Sequence, residues 1–324
     1  MNGIQEVTGS IPVSSTGRSV GRGGREAPVR SLAARVAALA SVLVVGLCAS
    51  ACAHPEPPPA AAQRGTLEER RLAVGQGWLL GTMVGFGGGV PVVFVHGIAG
   101  NHHLFDPQLN DLRGRRQVLA FDQRGCGGSA DAPGNDYDLQ TRVRDLGTVV
   151  DVVRFDPVVL IGQGTGSQVV ARYAERNQDR VWGLVLINPV SEDRAAAQLA
   201  GLPDAELQSA VEEWMLGQLS ASDAGTRSQM LAAERATRRK AMREMLLDGA
   251  SSVLSESLAS YPGPVLYIAA PEASVRPPRP DITLIRLSRG GYWSTLDAAD
   301  EVNKALREFL QPLDAAAPSR RRSR

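Results

Sequence analysis

The chain has 324 residues, 43% of them hydrophobic, and its 35 basic and 34 acidic side chains give a formal net charge of +1. This length and composition fit one α/β domain with a substantial core, and the near-neutral charge excludes the broad basic field of a nucleic-acid-binding protein. With only three cysteines, Cys48, Cys52 and Cys126, the sequence also excludes a disulfide framework and a cysteine-rich metal site.

The beginning of the chain has the composition of a targeting segment followed by a linker. Residues 36–53 contain no charge and include small residues before Cys52, which is typical of a signal segment. This stretch resembles a bacterial lipoprotein signal, which implies that Cys52 carries a lipid. We predict a targeting segment over residues 1–52 and a Pro/Ala-rich linker over residues 53–65. We therefore expect the protein to be exported and anchored to a membrane of a bacterial envelope as a lipoprotein. A secreted or periplasmic protein and an uncleaved anchor are the alternatives.

Short apolar runs alternate with helical patterns through the rest of the chain. The predicted strands are 70–74, 78–83, 92–95, 117–121, 158–161, 181–187, 265–268 and 283–287. Helices are predicted over 145–153, 165–176 and 302–310, where apolar residues recur at helical spacing. Apolar strands that alternate with helices predict an α/β fold with a mostly parallel central sheet and helices on both faces.

The region between residues 190 and 260 lacks strand patterns and predicts helices instead. One helix with an apolar face surrounds Trp214, and a second is predicted over residues 230–249. We predict a small helical cap at about 190–260 within a domain that covers residues 66–312. A connection without a lid role is the alternative. The arginines of residues 313–324 predict a basic, disordered tail.

The segment Gly162–Gly166 reads G-x-G-x-G between a predicted strand and a predicted helix. A nucleophile elbow has the pattern G-x-S-x-G in this setting, with the attacking serine in the middle. Further motifs precede and follow it: "VVFVHGIAGNHHLF", "FDQRGCGGS", "RVWGLVLINP" and "GGYWSTLDAADE". In this order and spacing, the motifs resemble the α/β-hydrolase superfamily from about residue 92 to residue 310. The resemblance implies the α/β-hydrolase fold.

The resemblance also places the catalytic triad on residues that lack its chemistry. The nucleophile position falls on Gly164 and the histidine position on Tyr292. The acid position falls on Ala273, although Glu272 stands beside it and is a possible acid. Some members of the superfamily place the acid after the preceding strand, where Glu192–Asp193 is available. The resemblance therefore predicts a degenerate triad.

These substitutions remove the groups that attack and that transfer protons. Glycine has no attacking atom, and tyrosine, with a pKa of about 10, is a poor base at neutral pH. No histidine follows His103. The resemblance implies that the backbone N–H groups of Ile98 and Thr165 still form an oxyanion hole. We expect this hole to hold a small acyl, ester or carboxylate ligand. A pocket filled by Tyr292 is the alternative.

Three other side chains could replace the missing nucleophile. Thr165 and Ser167 carry hydroxyls, but both lie past the elbow, where side chains are expected to turn away. Cys126 carries a thiol after the D-x-R-G turn, although a single cysteine is more often an inert buried residue.

The adjacent histidines His102 and His103 are weak candidates for unconventional chemistry. They could face the pocket as a base, or bind a metal together with Asp106 or Asp122. Two histidines without a third clear ligand are weak support for a metal. The sequence therefore predicts no metal site and no cofactor.

Three functions are compatible with these patterns. The first is an α/β-hydrolase-fold protein that has lost hydrolytic activity and acts as a ligand-binding or interaction protein. The second is a hydrolase of the esterase or lipase type with a non-standard site. The third is a structural subunit that docks through the cap. The sequence does not identify a protein partner.

Overall fold

The apolar runs of the sequence form the strands of one eight-stranded sheet. The computed structural model describes residues 65–75, 77–84 and 87–322, and these belong to one compact unit. The strands are β1 Glu68–Ala73, β2 Trp78–Val84, β3 Gly89–Val95, β4 Arg116–Phe121, β5 Val158–Gln163, β6 Val181–Ile187, β7 Val265–Ala269 and β8 Thr283–Arg286. Every predicted strand is present, with boundaries that differ by a few residues at most.

The sheet is mostly parallel, which confirms the predicted fold class. Its spatial order is β1-β2-β4-β3-β5-β6-β7-β8. The pairs β1–β2 and β2–β4 are antiparallel, and the other five pairs are parallel. The carboxyl ends of β3, β5, β6 and β7 therefore meet at one edge of the sheet, where ligand sites of open α/β sheets form.

Helices cover both faces of the sheet. They are α1 Asp106–Leu112, α2 Leu139–Val153, α3 Gly166–Arg176, α4 Arg194–Ala200, α5 Asp204–Gln218, α6 Ala224–Arg235, α7 Arg239–Ala250, α8 Val253–Ser260, α9 Ser294–Asp297 and α10 Ala299–Arg322. Residues of α1 and α10 pack in one buried core, and residues of α2, α3 and α8 pack in the other. Strand side chains alternate between the two cores because successive residues point to opposite faces.

The predicted cap consists of α4–α7 and is smaller than expected. Residues 230–249 form parts of two helices, because the chain leaves helical geometry between Arg235 and Arg239. Helix α8 packs against α3, so it covers the sheet and does not belong to the cap. The cap is fixed to the sheet domain by a buried ion pair between Arg142 and Asp248.

The end of the chain differs from the predicted disordered tail. Helix α10 continues through Leu313, which is buried, and extends to Arg322. Asp314 accepts a hydrogen bond from the Val90 backbone N–H at 2.8 Å and forms an ion pair with Arg116 at 2.7 Å. These contacts hold residues 313–314 in the domain. Loss of the carboxylate would leave the donors of Val90 and Arg116 without this partner, which would destabilise the fold.

The predicted targeting segment, the lipidation site Cys52 and the linker up to residue 64 lie outside the described residues. Among the helices of the described part, none has the length and apolar character needed to cross a membrane.

Candidate functional site

The turn between β5 and α3 has the geometry of an elbow. Gly164 adopts φ +54°, which glycine tolerates and most residues do not. Its N–H donates to the Ile187 carbonyl at 2.9 Å, and its carbonyl accepts from the Ser167 N–H at 3.1 Å. Gly166 lies directly against the backbone of Val95 and leaves no space for a side chain. The turn therefore projects residue 164 above the carboxyl edge of the sheet.

The side chain of Tyr292 covers Gly164. A Cβ atom placed on Gly164 would overlap the Tyr292 hydroxyl oxygen. That hydroxyl is buried, and the ring contacts Trp214 and Trp293 edge-on with centroid distances of 5.6 and 5.0 Å. The residue at the predicted histidine position therefore fills the space of the predicted nucleophile.

Two buried amide side chains hold the backbone around Tyr292. Gln163 Nε2 donates to the Tyr292 carbonyl at 3.1 Å, and Asn188 Nδ2 donates to the same oxygen at 3.0 Å. Asn188 also donates to Ser294 Oγ at 2.9 Å and accepts from the Ala270 N–H at 2.7 Å. The ends of β5, β6 and β7 are thus joined to the loop that carries Tyr292.

The Tyr292 phenol remains protonated at neutral pH. Burial raises its pKa above the ordinary value, and the negative charge of Asp193 raises it further. The Thr165 backbone N–H and the Gln163 side chain act in the opposite direction but do not compensate. Tyr292 therefore supplies no base for attack by water.

The two predicted oxyanion donors lie at the floor of a cleft. Ile98 and Thr165 line it together with Tyr292. Neither backbone N–H donates to a backbone carbonyl within the described residues, and Thr165 precedes α3, whose N-terminus favours negative charge. Thr165 Oγ1 is also buried without a hydrogen-bond partner in the described structure. The Ile98 N–H is thus a donor for a ligand oxygen, whereas the Thr165 N–H faces the Tyr292 hydroxyl.

The cleft above Tyr292 is open and has a volume of about 720 Å³. Its apolar wall comes from both the sheet domain and the cap, with the side chains of Ile98, Leu199, Trp214, Leu246 and Val275. Its charged residues are Glu192, Asp193, Arg194 and Glu272. Tyr292 therefore fills the space directly over Gly164, as in the alternative named above. The rest of the cleft is free.

The candidate acids lie along the wall of this cleft. Ala273, at the predicted acid position, contributes no carboxylate, and its carbonyl accepts from Arg286 at 2.9 Å. Glu272 and Glu192 line the cleft and are exposed. Asp193 Oδ1 accepts from the Ala195 N–H at 2.8 Å and so caps α4. Among the described residues, no imidazole lines the cleft with these carboxylates.

The weaker candidates lie away from the cleft or are engaged in structural contacts. His102 and His103 do not line it. Their Nδ1 atoms bind Asp122 and Asp106, respectively. Cys126 is buried, and burial raises the pKa of its thiol to about 12, so the thiolate needed for reaction is scarce. Ser167 Oγ donates to the Gly162 carbonyl at 3.3 Å and turns away from the cleft.

Sequence reasoning missed two residues that organise the site, Gln163 and Asn188. Asn188 follows an apolar strand and adopts φ +45°, a conformation that asparagine tolerates better than most residues. The asparagine before a proline at the end of a buried strand indicates a turn at this position. Its partners are more than 80 residues away along the chain, which no local pattern indicates.

The chain belongs to the family of the alpha/beta hydrolase fold, whose sequence pattern matches residues 90–283. It is 35% identical over 94 residues to the AB hydrolase superfamily protein YisY of Bacillus subtilis. This matched segment is 28% of this chain and 34% of that protein. It is 32% identical over 104 residues to a haloalkane dehalogenase of Agrobacterium fabrum. This matched segment is 32% of this chain and 34% of the dehalogenase. The chain thus spans about a third of the length of these curated relatives.

Solved structures agree with this assignment at the level of the fold. A loop variant of the haloalkane dehalogenase DbeA from Bradyrhizobium elkanii superposes with a TM-score of 0.67 at 18% identity, and covers 79% of this chain and all of that one. At this identity the likeness concerns the fold alone.

Proposed function

We propose that this chain is a non-hydrolytic member of its family that binds a small ligand in the cleft beneath the cap. The position of the Tyr292 hydroxyl over Gly164 carries this proposal. Attack by the elbow residue needs a side chain at 164, and the space for that side chain is filled. The residue that fills it holds its proton at neutral pH, so neither an attacking atom nor a base is available there.

The lining of the cleft favours a neutral carbonyl compound, such as a short ester or ketone with an apolar substituent. The N–H group of Ile98 and the Thr165 hydroxyl suit a carbonyl oxygen, and Trp214 and Leu246 suit an apolar group. Three of the four charged residues at the cleft are acidic. A carboxylate ligand is therefore less favoured than the neutral acyl compounds expected from the sequence.

Reactivity and binding test the two halves of the proposal separately. We expect no covalent labelling by a serine-directed fluorophosphonate and no turnover of p-nitrophenyl acetate. We expect 4-phenyl-2-butanone, a ketone that cannot be hydrolysed, to bind in calorimetry. The variant Ala221→Trp, at an exposed position of the cleft wall, should weaken this binding at least tenfold. Ala224→Trp, exposed on α6 but outside the cleft, is the matched control.

Two results would contradict the proposal. Labelling or turnover by the unaltered chain would show that a nucleophile operates. Equal ketone binding in Ala221→Trp and Ala224→Trp would show that the cleft is not the binding site.

A hydrolase with a non-standard site is the second candidate, and one observation favours it. Thr165 Oγ1 is a buried hydroxyl without a partner in the described structure and lies at the cleft floor. If Thr165 attacks, ester turnover should be present and should disappear in Thr165→Val, which keeps the shape of the side chain. Turnover should persist in Ser167→Ala, because Ser167 Oγ bonds to the Gly162 carbonyl.

We also infer from the sequence that the chain is exported and anchored by a lipid on Cys52. Metabolic labelling with a radioactive fatty acid should mark the chain. In cell fractionation, the labelled chain should be found with the membranes. Cys52→Ser should abolish the label, whereas Cys48→Ser, four residues earlier, should leave it. A label that survives Cys52→Ser, or no label at all, would refute this inference in favour of a secreted or anchored protein.

A further inference from the structure

The adjacent histidines His102 and His103 both direct a ring nitrogen toward one carboxylate. His102 Nε2 lies 3.6 Å from Glu69 Oε1, and His103 Nε2 lies 3.9 Å from the same oxygen. The two rings stand 4.0 Å apart, between centroids, at an angle of 36°. Glu69 lies on β1, and the histidines follow β3, so the fold brings together three potential ligands from distant segments.

The opposite nitrogen of each ring is fixed by a second carboxylate. His102 Nδ1 binds Asp122 Oδ1 at 2.7 Å, and His103 Nδ1 binds Asp106 Oδ2 at 3.0 Å. A neutral imidazole that donates from Nδ1 presents a lone pair at Nε2. Carboxylate–histidine pairs of this kind orient the histidine ligands of metal sites.

Asp122 is itself held in place by the backbone. One of its oxygens accepts from the His102 N–H at 2.7 Å, and the other accepts from the Gly128 N–H at 2.7 Å. The imidazole of His102 is 2% exposed, and its Nε2 has no hydrogen-bond partner in the described part of the chain. A buried polar atom without a partner destabilises the fold, so this nitrogen indicates a group that completes its environment.

We propose that Glu69, His102 and His103 bind a divalent transition-metal ion, for which Zn²⁺ is the best match. Imidazole nitrogen and carboxylate oxygen are established zinc ligands, and bonds of about 2.0–2.2 Å in a tetrahedron separate neighbouring ligand atoms by about 3.3–3.5 Å. The observed separations of 3.6 and 3.9 Å from Glu69 need only small adjustments. The carboxylates of Asp106 and Asp122 add negative charge behind the ligands, which favours a cation.

The fourth coordination position faces solvent. The side chains of Glu69 and His103 are 57% and 45% exposed, so water can complete the tetrahedron. The ion would connect β1 to the segment that follows β3. Because β1 is the edge strand of the described sheet and pairs with β2, this link would stabilise the first strand of the sheet. The site lies outside the cleft and is independent of the proposed ligand.

Zinc titration of the full chain after removal of bound metal tests the proposal. In competition with a chromophoric chelator, we expect one Zn²⁺ per chain and a higher melting temperature when zinc is present. Glu69→Gln and His103→Ala should each weaken the affinity at least tenfold. Asp106→Asn should weaken the zinc affinity by about 10–100-fold, because the carboxylate that orients His103 is removed. Both ligand variants alter exposed side chains and should leave folding intact.

Two controls distinguish this site from binding elsewhere. Glu68→Gln removes the neighbouring carboxylate on β1, which points to the opposite face, and His54→Ala removes the histidine that lies outside the described residues. Both should bind zinc within about twofold of the unaltered chain. Failure to bind Zn²⁺, unchanged binding by Glu69→Gln and His103→Ala, or loss of binding in His54→Ala would each overturn the proposal.

Discussion

The hydroxyl oxygen of Tyr292 occupies the position that a side chain at Gly164 would need. The two residues are 128 positions apart in the sequence, and each fits only because of the other. A serine at 164 would displace the tyrosine, and without the tyrosine the glycine would leave an empty space at the cleft floor. The glycine at the predicted nucleophile position and the tyrosine at the predicted histidine position therefore form one steric feature.

The first prediction concerns the energetic coupling of these two residues. Gly164→Ala should destabilise the fold by about 1–2 kcal/mol for the left-handed backbone and by a further 1–3 kcal/mol, roughly, for the overlap with Tyr292. In a Tyr292→Ala background, only the backbone cost should remain. Urea unfolding of the four proteins of the cycle measures the coupling.

Gly134 supplies the control for this cycle. It has φ +65° and open space where a Cβ would stand, so Gly134→Ala should show the backbone cost alone and no coupling to Tyr292. Independent effects of Gly164→Ala and Tyr292→Ala would contradict the steric account.

The second prediction is that chemistry returns only when both positions change. Gly164→Ser together with Tyr292→His should react with a fluorophosphonate more rapidly than either single variant. In the double variant, removal of the phenol leaves space for the serine side chain. The imidazole at residue 292 can then accept the proton of the serine hydroxyl. Gly164→Ser alone should remain close to the unaltered chain. If the double variant stays inert while it folds and binds the ketone, the cleft does not orient the introduced pair.

The third prediction concerns Asn188. Asn188→Ala should lower the free energy of unfolding by about 2–4 kcal/mol, because it removes several buried hydrogen bonds and places alanine at positive φ. Asn135→Ala is the matched control, since Asn135 also has positive φ but is exposed. Chemical denaturation compares the two variants. A similar loss in both would mean that the amide contacts contribute little.

The fourth prediction is a pH dependence that arises from His96. Its Nδ1 donates to the Gly97 carbonyl at 2.8 Å, and its Nε2 accepts from the Gln123 N–H at 2.9 Å. Burial lowers the pKa of His96, an effect opposed by the charge of Asp122 and the Gly97 carbonyl. In the unfolded chain the pKa returns to about 6.5.

The sign of this dependence follows from proton uptake. The lowered pKa means that the unfolded chain binds a proton before the folded chain does. The contribution of His96 to stability is therefore complete above about pH 6.5 and is lost as the pH falls, by up to about 1.4 kcal/mol per pH unit. His96→Gln keeps an acceptor for the Gln123 N–H and should show a smaller decrease in unfolding free energy between about pH 7.5 and about pH 5.5. Equal decreases in both proteins would exclude His96 as the source.

The elements that local patterns encode were predictable from the sequence. Apolar runs such as Val158–Ile161 identify buried strands, and the glycines around Gly164 identify the elbow, because both depend on residues close in the chain. The break of the cap helix at 236–238 was not predictable, since the segment carries no proline or glycine signal.

Contacts between distant segments lay beyond sequence reasoning. Motif order placed Tyr292 at the pocket and gave a pocket filled by Tyr292 as an alternative. The position of its hydroxyl over Gly164 depends on packing against Trp214 and Trp293, which the sequence does not show. Glu69 could not be associated with the histidines, because the pairing of β1 with β2 determines where its carboxylate lies.

The contact of Asp314 with β3 also affects how the polypeptide is completed during synthesis. The Val90 N–H and its partner carboxylate are separated by 224 residues, so the first residues of β3 leave the ribosome long before their partner is made. Domains fold as their chains emerge, so this contact forms only after the chain has been synthesised as far as residue 314. A chain that ended before residue 314 would leave the Val90 N–H at the start of β3 and the Arg116 guanidinium without this carboxylate.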